Sequence, residues 1–223
     1  MEILMTADER FTGQYKQDQY IYEEFFKNRN SPGTFIEVGA DDGLRFSNTL
    51  FFEKELNWKG LCIEPKPSIF GTLLGNRKSV CMQCAVSQED NSEVEFLEIE
   101  GYGRQLSGIV GNYDTKHIER IERESSNPLL IRKSLITVTC RRLDSLIHEL
   151  GFECINFLSV DTEGAELSVL MSLGDCIKQV DIILIENNYH NNYAEEFPPL
   201  GIEFSLHKKI MHDEIWVNKK FKP

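Results

Sequence analysis

The sequence predicts an α/β protein with a doubly wound sheet and an antiparallel hairpin at its carboxyl end. Short apolar runs alternate with amphipathic segments, and two of these runs, at 35–38 and 155–160, are nearly continuous, as in strands buried on both faces. The hairpin is predicted from the alternating pattern at 202–218. The 223 residues show no repeat or linker, so we expect one domain over 1–223.

The first half of the chain alternates helices with strands. Apolar residues at helical spacing predict a helix at 15–26, within an N-terminal helical segment 1–33 that ends at the Asn30–Gly33 break. The predicted elements that follow are strand 35–38, glycine loop 39–43, a helix capped at 47–49 and ending near 56, strand 61–63, helix 69–74, strand 80–86, and a strand or hairpin arm at 93–99.

The second half begins with a long polar segment, 101–128, which contains a short charged helix at 114–124. Insertions of this length in a compact domain are often substrate lids, and we predict that role here. The remaining predicted elements are strand 135–140, an amphipathic helix at 141–150 closed by Gly151, strand 155–160, a helix through 165–170, strand 180–185 and the hairpin 202–218.

Composition excludes several classes of protein. A net charge of -12 and a pI of about 4.9 disfavour a free nucleic acid partner, since such binding relies on neutralisation of phosphates by basic side chains. No apolar run approaches the roughly 20 residues that span a bilayer, and the first ten residues do not form a secretory signal, so a cytoplasmic location is expected. The C-x-x-C motif at Cys81 and Cys84 lies in a predicted strand, where chelation is awkward, and no metal is predicted there.

The glycine loop Gly39–Gly43 follows the first buried strand, and a glycine turn in that place lets backbone approach a nucleoside closely. A dinucleotide fold requires G-x-G-x-x-G, but the spacing here is G-x-x-x-G, and the Gly-Lys-Ser/Thr of a P-loop is missing. An S-adenosylmethionine (SAM) loop is the third interpretation. It agrees with the acidic residues Asp41 and Asp42, because SAM carries a sulfonium and an ammonium and no phosphate. A structural turn without a ligand also remains open.

Glu64 ends the second predicted strand, roughly twenty residues after the loop, and Pro65 stops the strand there. An acid in this place accepts hydrogen bonds from both ribose hydroxyls. NAD enzymes use the same arrangement, so Glu64 indicates a nucleoside without specifying the cofactor.

Five motifs, in order and spacing, resemble the FkbM-type SAM-dependent methyltransferases. They are F-I-E-V-G-A-D-D-G at 35–43, W-K-G-L-C-I-E-P at 58–65, C-A-V-S at 84–87, L-S-G at 106–108 and F-L-S-V-D-T-E-G-A-E at 157–166. The resemblance runs from about Gln17 to the end of the chain. It implies a Rossmann-like sheet with strand order 3-2-1-4-5-7-6 and methyl transfer to a hydroxyl of a sugar, glycoconjugate or other small metabolite. The short segment 193–201 departs from the family, because it leaves little room for the helix between strands five and six.

The resemblance also implies a set of residues that bind SAM. The methionine part would lie against Glu37, Gly39, Ala40 and Gly43, the ribose against Glu64, and the adenine against Cys84, Ala85 and Val86, while Asp161 would lie beside the reacting methyl group. Asn48 and Pro65 complete the predicted cofactor contacts.

The acceptor hydroxyl needs a general base or a metal that lowers its pKa. Asp161 is the first candidate base, and Glu163, which alternatively caps a helix, and His117 from the lid follow it. Substrate contacts are predicted at Tyr102, Ser107, Gly108, Arg120, Glu186 and Asn187, although Arg120 has surface pairing with Glu124 as an alternative. Asp161, Glu186 and Asn187 offer oxygen ligands for Mg²⁺, but a pocket-shaping role is favoured, so the predicted site contains no metal.

Two other functions stay open at this stage. An NAD-dependent oxidoreductase shares Glu64 but requires the missing glycine pattern, and a non-catalytic SAM-binding module would bind SAM without any turnover. An RNA methyltransferase is disfavoured by the acidic balance. A small hydroxylated acceptor is the expected partner, and a homodimer is left open.

Overall fold

The computed structural model describes residues 8–101, 103–125, 130–188, 191–197 and 203–222. The strands are β1 Thr34–Val38, β2 Lys59–Ile63, β3 Val80–Met82, β4 Ala85–Val86, β5 Ser92–Gly101, β6 Gly108–Ile109, β7 Leu130–Arg141, β8 Ile155–Val160, β9 Val180–Glu186, β10 Phe204–Ile210 and β11 Asp213–Asn218. The α-helices are α1 Gln17–Ile21, α2 Leu50–Leu56, α3 Pro67–Asn76, α4 Thr115–Ser125, α5 Leu143–Leu150, α6 Glu166–Ser172 and α7 Tyr193–Glu196. Among the described helices, none has the length and apolarity needed to cross a bilayer.

Seven strands form the main sheet in the order β10-β11-β9-β8-β1-β2-β3. Only β11 is antiparallel to its neighbours β9 and β10, and the other pairs are parallel. Counting only these strands along the chain gives 3-2-1-4-5-7-6, so the predicted order and the terminal hairpin are confirmed. All six residues of β8 are buried at the centre, as its continuous apolar run predicts.

The two faces of the sheet pack against separate groups of helices. Because side chains alternate along a strand, Ile36 and Val38 of β1 face α5 and α6, whereas Phe35 faces the opposite layer of α1 and α2. That second layer is rich in aromatic rings: Phe52 lies 4.8 Å from Trp58 and 5.2 Å from Phe157, measured between ring centroids. The core is therefore continuous on both sides of the parallel strands.

A second sheet with the order β4-β7-β5-β6 is the main departure from the sequence prediction. The segment 80–86 was expected to be one strand, and this was wrong. The part Val80–Met82 pairs with β2, and after Cys84 the chain leaves the main sheet, so that Ala85 pairs with Cys140 of β7. Both parts carry the same apolar pattern, and only the change of hydrogen-bonding partner separates them.

Local signals set several helix ends as expected. The Ser47 hydroxyl accepts hydrogen bonds from the backbone N–H groups of Thr49 and Leu50 and so begins α2. Gly151 ends α5 at a φ of 67°, a left-handed conformation that favours glycine. The predicted N-terminal helix continues from α1 as a π-helical turn, Tyr22–Phe26. In the described part of the connection between β9 and β10, the helix is the four-residue α7.

Candidate active site

A cavity of about 630 Å³ opens at the carboxyl ends of the central parallel strands. The residues that follow β1, β2, β8 and β9 all contribute to its wall. Ligands of open α/β sheets bind at this edge, where the order of the strands reverses. The volume is in the usual range for a site that binds a small molecule or a cofactor.

The glycine loop after β1 lies against the backbone of β8. Gly39 has a φ of 87°, and a Cβ atom there would lie 1.8 Å from the carbonyl oxygen of Asp161. The N–H groups of Gly39 and Ala40 both donate to the carbonyl of Ile63. Gly43, in contrast, packs against the Arg77 side chain and is not among the residues that line the cavity. Gly39 is thus required by the close approach of two chain segments.

Glu37 lies on β1 and joins the cavity wall to a buried ion network. Its carboxylate accepts hydrogen bonds from the Ser47 and Thr49 hydroxyls, the Asn48 N–H and the Arg77 guanidinium, whose Nη1 lies 2.9 Å away. Burial alone would lower the pKa of Arg77, but the charges of Glu37 and Glu53 raise it, so the guanidinium stays charged. Glu37 therefore fixes the loop that carries Asn48.

Glu64 is buried at the end of β2, where its carboxylate accepts the backbone N–H groups of Asp41 and Lys66 at 2.8 Å and 2.9 Å. The Lys66 ammonium lies 3.1 Å from Asp41 and 4.0 Å from Glu64. Burial raises the pKa of Glu64, while Lys66 opposes that shift. Arg104, from the segment 101–128, pairs with Asp41 at 2.7 Å and so closes this side of the cavity.

An apolar wall follows Glu64. Pro65 and the residues Cys84, Ala85 and Val86 line the cavity, and all of them except Pro65 are buried. Burial raises the pKa of Cys84 to about 12, so its thiol is protonated and acts as an apolar group at neutral pH. This wall is suited to the flat face of a base.

Three carboxylates meet at the opposite end of the cavity. One oxygen from each of Asp161, Glu163 and Glu186 lies within 4.8 Å of the others. Although the Asp161 side chain is exposed to the cavity, the surrounding protein displaces bulk solvent and raises the pKa of Asp161 to about 7, with the charges of Asp213 and Glu166 adding to the shift. Burial and the charge of Asp161 likewise raise the pKa values of Glu163 and Glu186 well above the ordinary value. We call Asp161, Glu163 and Glu186 the acid cluster.

Helix α4 contributes two side chains next to the acid cluster. His117 is fully buried, its Nε2 donates to the Leu106 carbonyl, and its Nδ1 lies 3.4 Å from Glu163. Burial lowers the pKa of His117. Arg120 lines the cavity and lies 4.0 Å from Glu163, and its Nε donates to Glu124, so the pairing with Glu124 is present while the contact with substrate stays a prediction.

Other predicted substrate residues have structural partners. The Ser107 hydroxyl lines the cavity but accepts from the Ile99 N–H and donates to the Arg104 carbonyl. Gly108 is not a lining residue, and a Cβ atom there would lie 2.8 Å from the Tyr113 ring.

Asn187 holds the chain after β9 and is not a lining residue. It accepts the Asn191 N–H at 2.8 Å and donates to Glu214 at 2.9 Å. Its neighbour Asn188 lines the cavity instead. The predicted substrate contact Tyr102 lies outside the described residues.

Comparison with known protein families shows to which family this chain belongs. The family model described as the methyltransferase FkbM domain matches residues 37–216. The chain belongs to the FkbM methyltransferase family. The resemblance stated from the motifs is thereby confirmed, and SAM is the cofactor of this methyltransferase. No curated protein gives a significant match.

Solved structures of methyltransferases also match this FkbM chain. The METTL16 methyltransferase domain has a TM-score of 0.47 and 10% identity over 90% of this chain and 64% of that one. The human methyltransferase 10 domain containing protein has a TM-score of 0.42 and 9% identity over 96% and 82% of the two chains. The N-terminal domain of human METTL16 in complex with SAH has a TM-score of 0.44 and 11% identity over 96% and 71%. The FkbM chain thus spans less than two thirds of the first of these domains.

The residues of the FkbM cavity fit SAM. The lining contains eight acidic and three basic side chains, which suits a cation better than a phosphate-bearing cofactor. Asn48 Oδ1 is buried in the wall without a hydrogen bond from the described residues, as an acceptor awaiting a donor would be. Ten of the eleven predicted cofactor residues, including Glu64 and the apolar wall at 84–86, line the cavity, and only Gly43 does not.

Several residues of the FkbM site were not predicted. Gln14, Tyr15 and Gln17 come from the N-terminal segment and line the cavity, and Gln17 donates to Asp213 of the terminal hairpin. These residues belong to no sequence motif. Only tertiary contacts bring them to the site, so the sequence carries no signal for them.

Glu166 was not predicted either, and its carboxylate accepts hydrogen bonds from the N–H groups of Thr162 and Gly164 and from the Thr162 hydroxyl. Glu166 therefore caps the turn before α6, and Glu163 is left to face the site. The D-T-E-G-A-E motif contains two glutamates close together, and this was the sequence signal that one of them caps the helix while the other faces the site.

Proposed function

We propose that this SAM-dependent methyltransferase is an O-methyltransferase that acts on a hydroxyl of a small molecule, a sugar or glycoconjugate. The observation that supports the proposal is the acid cluster, which lies beside the glycine loop at the carboxyl ends of β8 and β9. A hydroxyl is a poor nucleophile until a nearby group takes its proton, and carboxylates in a cavity can do so.

When bound, SAM would supply an electrophilic methyl group to the acceptor oxygen, and its sulfur would keep the electron pair of the broken C–S bond. The Glu64 carboxylate and the wall at 84–86 hold the nucleoside, and the loop fixed by Glu37 positions the methionine part. Asp161 accepts the hydroxyl proton, with Glu163 as the second candidate. Arg120 and Glu186 orient the acceptor from α4 and β9, and His117 positions Glu163.

The segment 101–128 forms the acceptor side in this proposal. Its described part packs through Leu106 and Ile121 onto Ile99 of the second sheet, and Gln105, Ser107 and Arg120 line the cavity. An acceptor would therefore lie between this segment and the acid cluster. Its small size follows from the cavity volume, since the cofactor occupies much of the same space.

The first test is titration calorimetry with S-adenosylhomocysteine, with NADH in parallel and Glu64→Ala as the comparison. Binding of the homocysteine compound, lost in Glu64→Ala, supports the cofactor site, whereas binding of NADH alone supports hydride transfer. Transfer of labelled methyl from SAM to a panel of sugars and other hydroxylated molecules then identifies the acceptor.

Asp161→Asn should keep the binding of S-adenosylhomocysteine and lose transfer. Label found only on nitrogen or sulfur acceptors would contradict O-methylation. Binding of the homocysteine compound with no transfer to any acceptor, and no effect of Asp161→Asn on any turnover, would favour a non-catalytic module. A cytoplasmic location and a homodimer remain predictions, tested by cell fractionation and by light scattering of the purified chain.

A further inference from the structure

We propose that the acid cluster is a binding site for one hard divalent cation of the Mg²⁺ or Mn²⁺ type. The sequence favoured a pocket-shaping role for the acids here, with Asn187 as a third oxygen ligand in the metal alternative. The structure instead engages Asn187 with Asn191 and Glu214 and brings Glu163 beside Asp161 and Glu186.

The first support is geometric. Among the described residues, Asp161, Glu163 and Glu186 form the only group of three or more potential ligands whose donor atoms lie so close together, all within 4.8 Å. Two oxygens that share an ion are separated by at most twice the metal–oxygen distance, about 4.2 Å for Mg²⁺ and about 4.6–5.2 Å for Ca²⁺. The 4.8 Å bound lies within the Ca²⁺ range and somewhat above the Mg²⁺ limit, so small side-chain movements would bring the three oxygens onto one Mg²⁺ or Mn²⁺ ion.

The turn after β8 directs Glu163 into the cluster. Glu163 has a φ of 55° and Gly164 a φ of 113°, and the Glu166 carboxylate holds the turn by accepting the N–H groups of Thr162 and Gly164. Because the Glu166 carboxylate already accepts the N–H groups of the turn before α6, the Glu163 side chain is not needed as a cap and is available to the cluster.

The second, independent support is a buried carboxylate oxygen that accepts no hydrogen bond from the described part of the chain. Glu163 is only 7% exposed, and its Oε2 accepts no hydrogen bond from the described residues. His117 Nδ1 at 3.4 Å and Arg120 Nη1 at 4.0 Å are in contact with it without making a hydrogen bond. A buried carboxylate oxygen without a hydrogen bond lowers the stability of the folded state unless a bound ligand interacts with it.

The negative charge at this end of the cavity also favours a cation. In the described part of the chain, neither Asp161 nor Glu186 has an ion-pair partner, and Asp213 adds a further acid to this end of the cavity. Carboxylate oxygens without thiolate or imidazole ligands favour hard cations over zinc or copper. A divalent cation would offset two of the four carboxylate charges at this end of the cavity.

The role of the cation in the reaction rests on the proposed O-methylation. The binding of the cation to the acid cluster does not depend on that reaction. Mg²⁺ and Mn²⁺ keep water positions that a substrate can take, so an acceptor hydroxyl in the cavity would become the next ligand. Coordination makes the hydroxyl proton more acidic and fixes the oxygen in one place. The substrate class this favours is a sugar or other polyol, which can present two neighbouring hydroxyls to one ion.

The test is a Mn²⁺ titration of the full chain, without SAM or acceptor, followed by electron paramagnetic resonance of the free ion. We expect one Mn²⁺ per chain, and a loss of affinity of about tenfold or more in Glu163→Gln and in Glu186→Gln. Asp175→Asn is the matched control, because its side chain is 92% exposed and pairs only with Lys178 among the described groups. It should bind Mn²⁺ as the wild type does. Circular dichroism and binding of S-adenosylhomocysteine establish that each variant is folded.

Two results would overturn the cation site: no Mn²⁺ binding up to about 1 mM, or equal affinity in the wild type and both glutamine variants. Full displacement of Mn²⁺ by S-adenosylhomocysteine would also count against it, because the cluster would then hold the methionine ammonium. The outcomes separate the two proposals. Mn²⁺ binding without methylation of any hydroxyl refutes only the proposed reaction, whereas methylation in the presence of a chelator, together with no Mn²⁺ binding, refutes only the cation site.

Discussion

Replacing Arg77 with methionine should lower the free energy of unfolding by about 3–5 kcal/mol. The Arg77 side chain has no exposed surface, and its nitrogens lie 2.9 Å from Glu37 and 3.1 Å from Glu53. Methionine keeps much of the apolar stem but removes the charge, so two buried carboxylates would lose their cation. A domain of ordinary stability has about 5–15 kcal/mol in total, so the loss would be a large part of it.

The magnitude follows from the contacts that disappear. Besides the two carboxylates, Arg77 donates to the Thr49 and Ser47 hydroxyls and to the Gly43 carbonyl. Hydrogen bonds to charged groups contribute roughly 1.5–3 kcal/mol each, and their sum exceeds the range above. Water entry and protonation of the carboxylates relieve part of the cost, which is why measured losses for buried ion pairs stay near 3–5 kcal/mol.

Urea unfolding at pH 7, followed by the fluorescence of the buried Trp58 and Trp216, measures the change. Lys178→Met removes an exposed ion pair with Asp175 and should leave the urea midpoint unchanged. Arg77→Met together with Glu37→Gln should recover part of the loss, because one of the stranded charges is removed as well. A midpoint for Arg77→Met equal to that of the wild type, at an unchanged slope, would refute the reasoning.

The remaining predictions concern the glycine loop, the nucleoside end and acid stability. Glu64→Gln should weaken binding of S-adenosylhomocysteine about 10- to 100-fold by calorimetry. The Asp41 and Lys66 N–H groups donate to different oxygens of the carboxylate, so the amide N–H₂ would face one of these two donors, while the exposed Glu55→Gln should change nothing. Gly39→Ala should destabilise the fold by about 2 kcal/mol or more, since its Cβ would meet the Asp161 carbonyl at 1.8 Å, whereas Gly71→Ala in α3, with open space around it, should stabilise by about 0.5–1 kcal/mol; equal urea midpoints for the two would contradict this. The folded state lowers the pKa of Glu53, as hydrogen bonds from Ser79 and Lys78 and the charge of Arg77 outweigh the opposing effect of burial. Its stabilisation is therefore present above its unfolded pKa and is lost as pH falls through its folded pKa. The gap in unfolding free energy between wild type and Glu53→Gln should shrink between about pH 6 and pH 3, and a constant gap would show that Glu53 is not the titrating group.

The parts of the fold that the sequence predicts are those with local or periodic signals. The continuous apolar run of β8, the turn after β1 and the Glu64–Pro65 strand end each carry their information within a few residues. For that reason the doubly wound fold and the glycine loop were predicted from the chain alone. The order of the main sheet and most of the cofactor residues came from the family resemblance of the motifs, and ten of those eleven residues line one cavity.

The features that the sequence did not predict depend on which distant segment of the chain each strand or loop contacts. Val80–Met82 and Ala85–Val86 have the same apolar pattern and yet pair in different sheets. Gly43 carries the same glycine signal as Gly39, but it packs on Arg77, a contact made across 34 positions of the chain. Tertiary contacts of this kind leave no pattern in a single sequence.

The bond between Gln17 and Asp213 joins positions 196 residues apart, and both side chains border the same cavity. Contacts this distant along the chain form late, because the entropy of closing the intervening loop must be overcome first. During synthesis, the pocket stays incomplete until the last hairpin has left the ribosome and entered the sheet. A cofactor that binds only the folded state adds its binding free energy to that state and so protects the folded molecule from proteolysis.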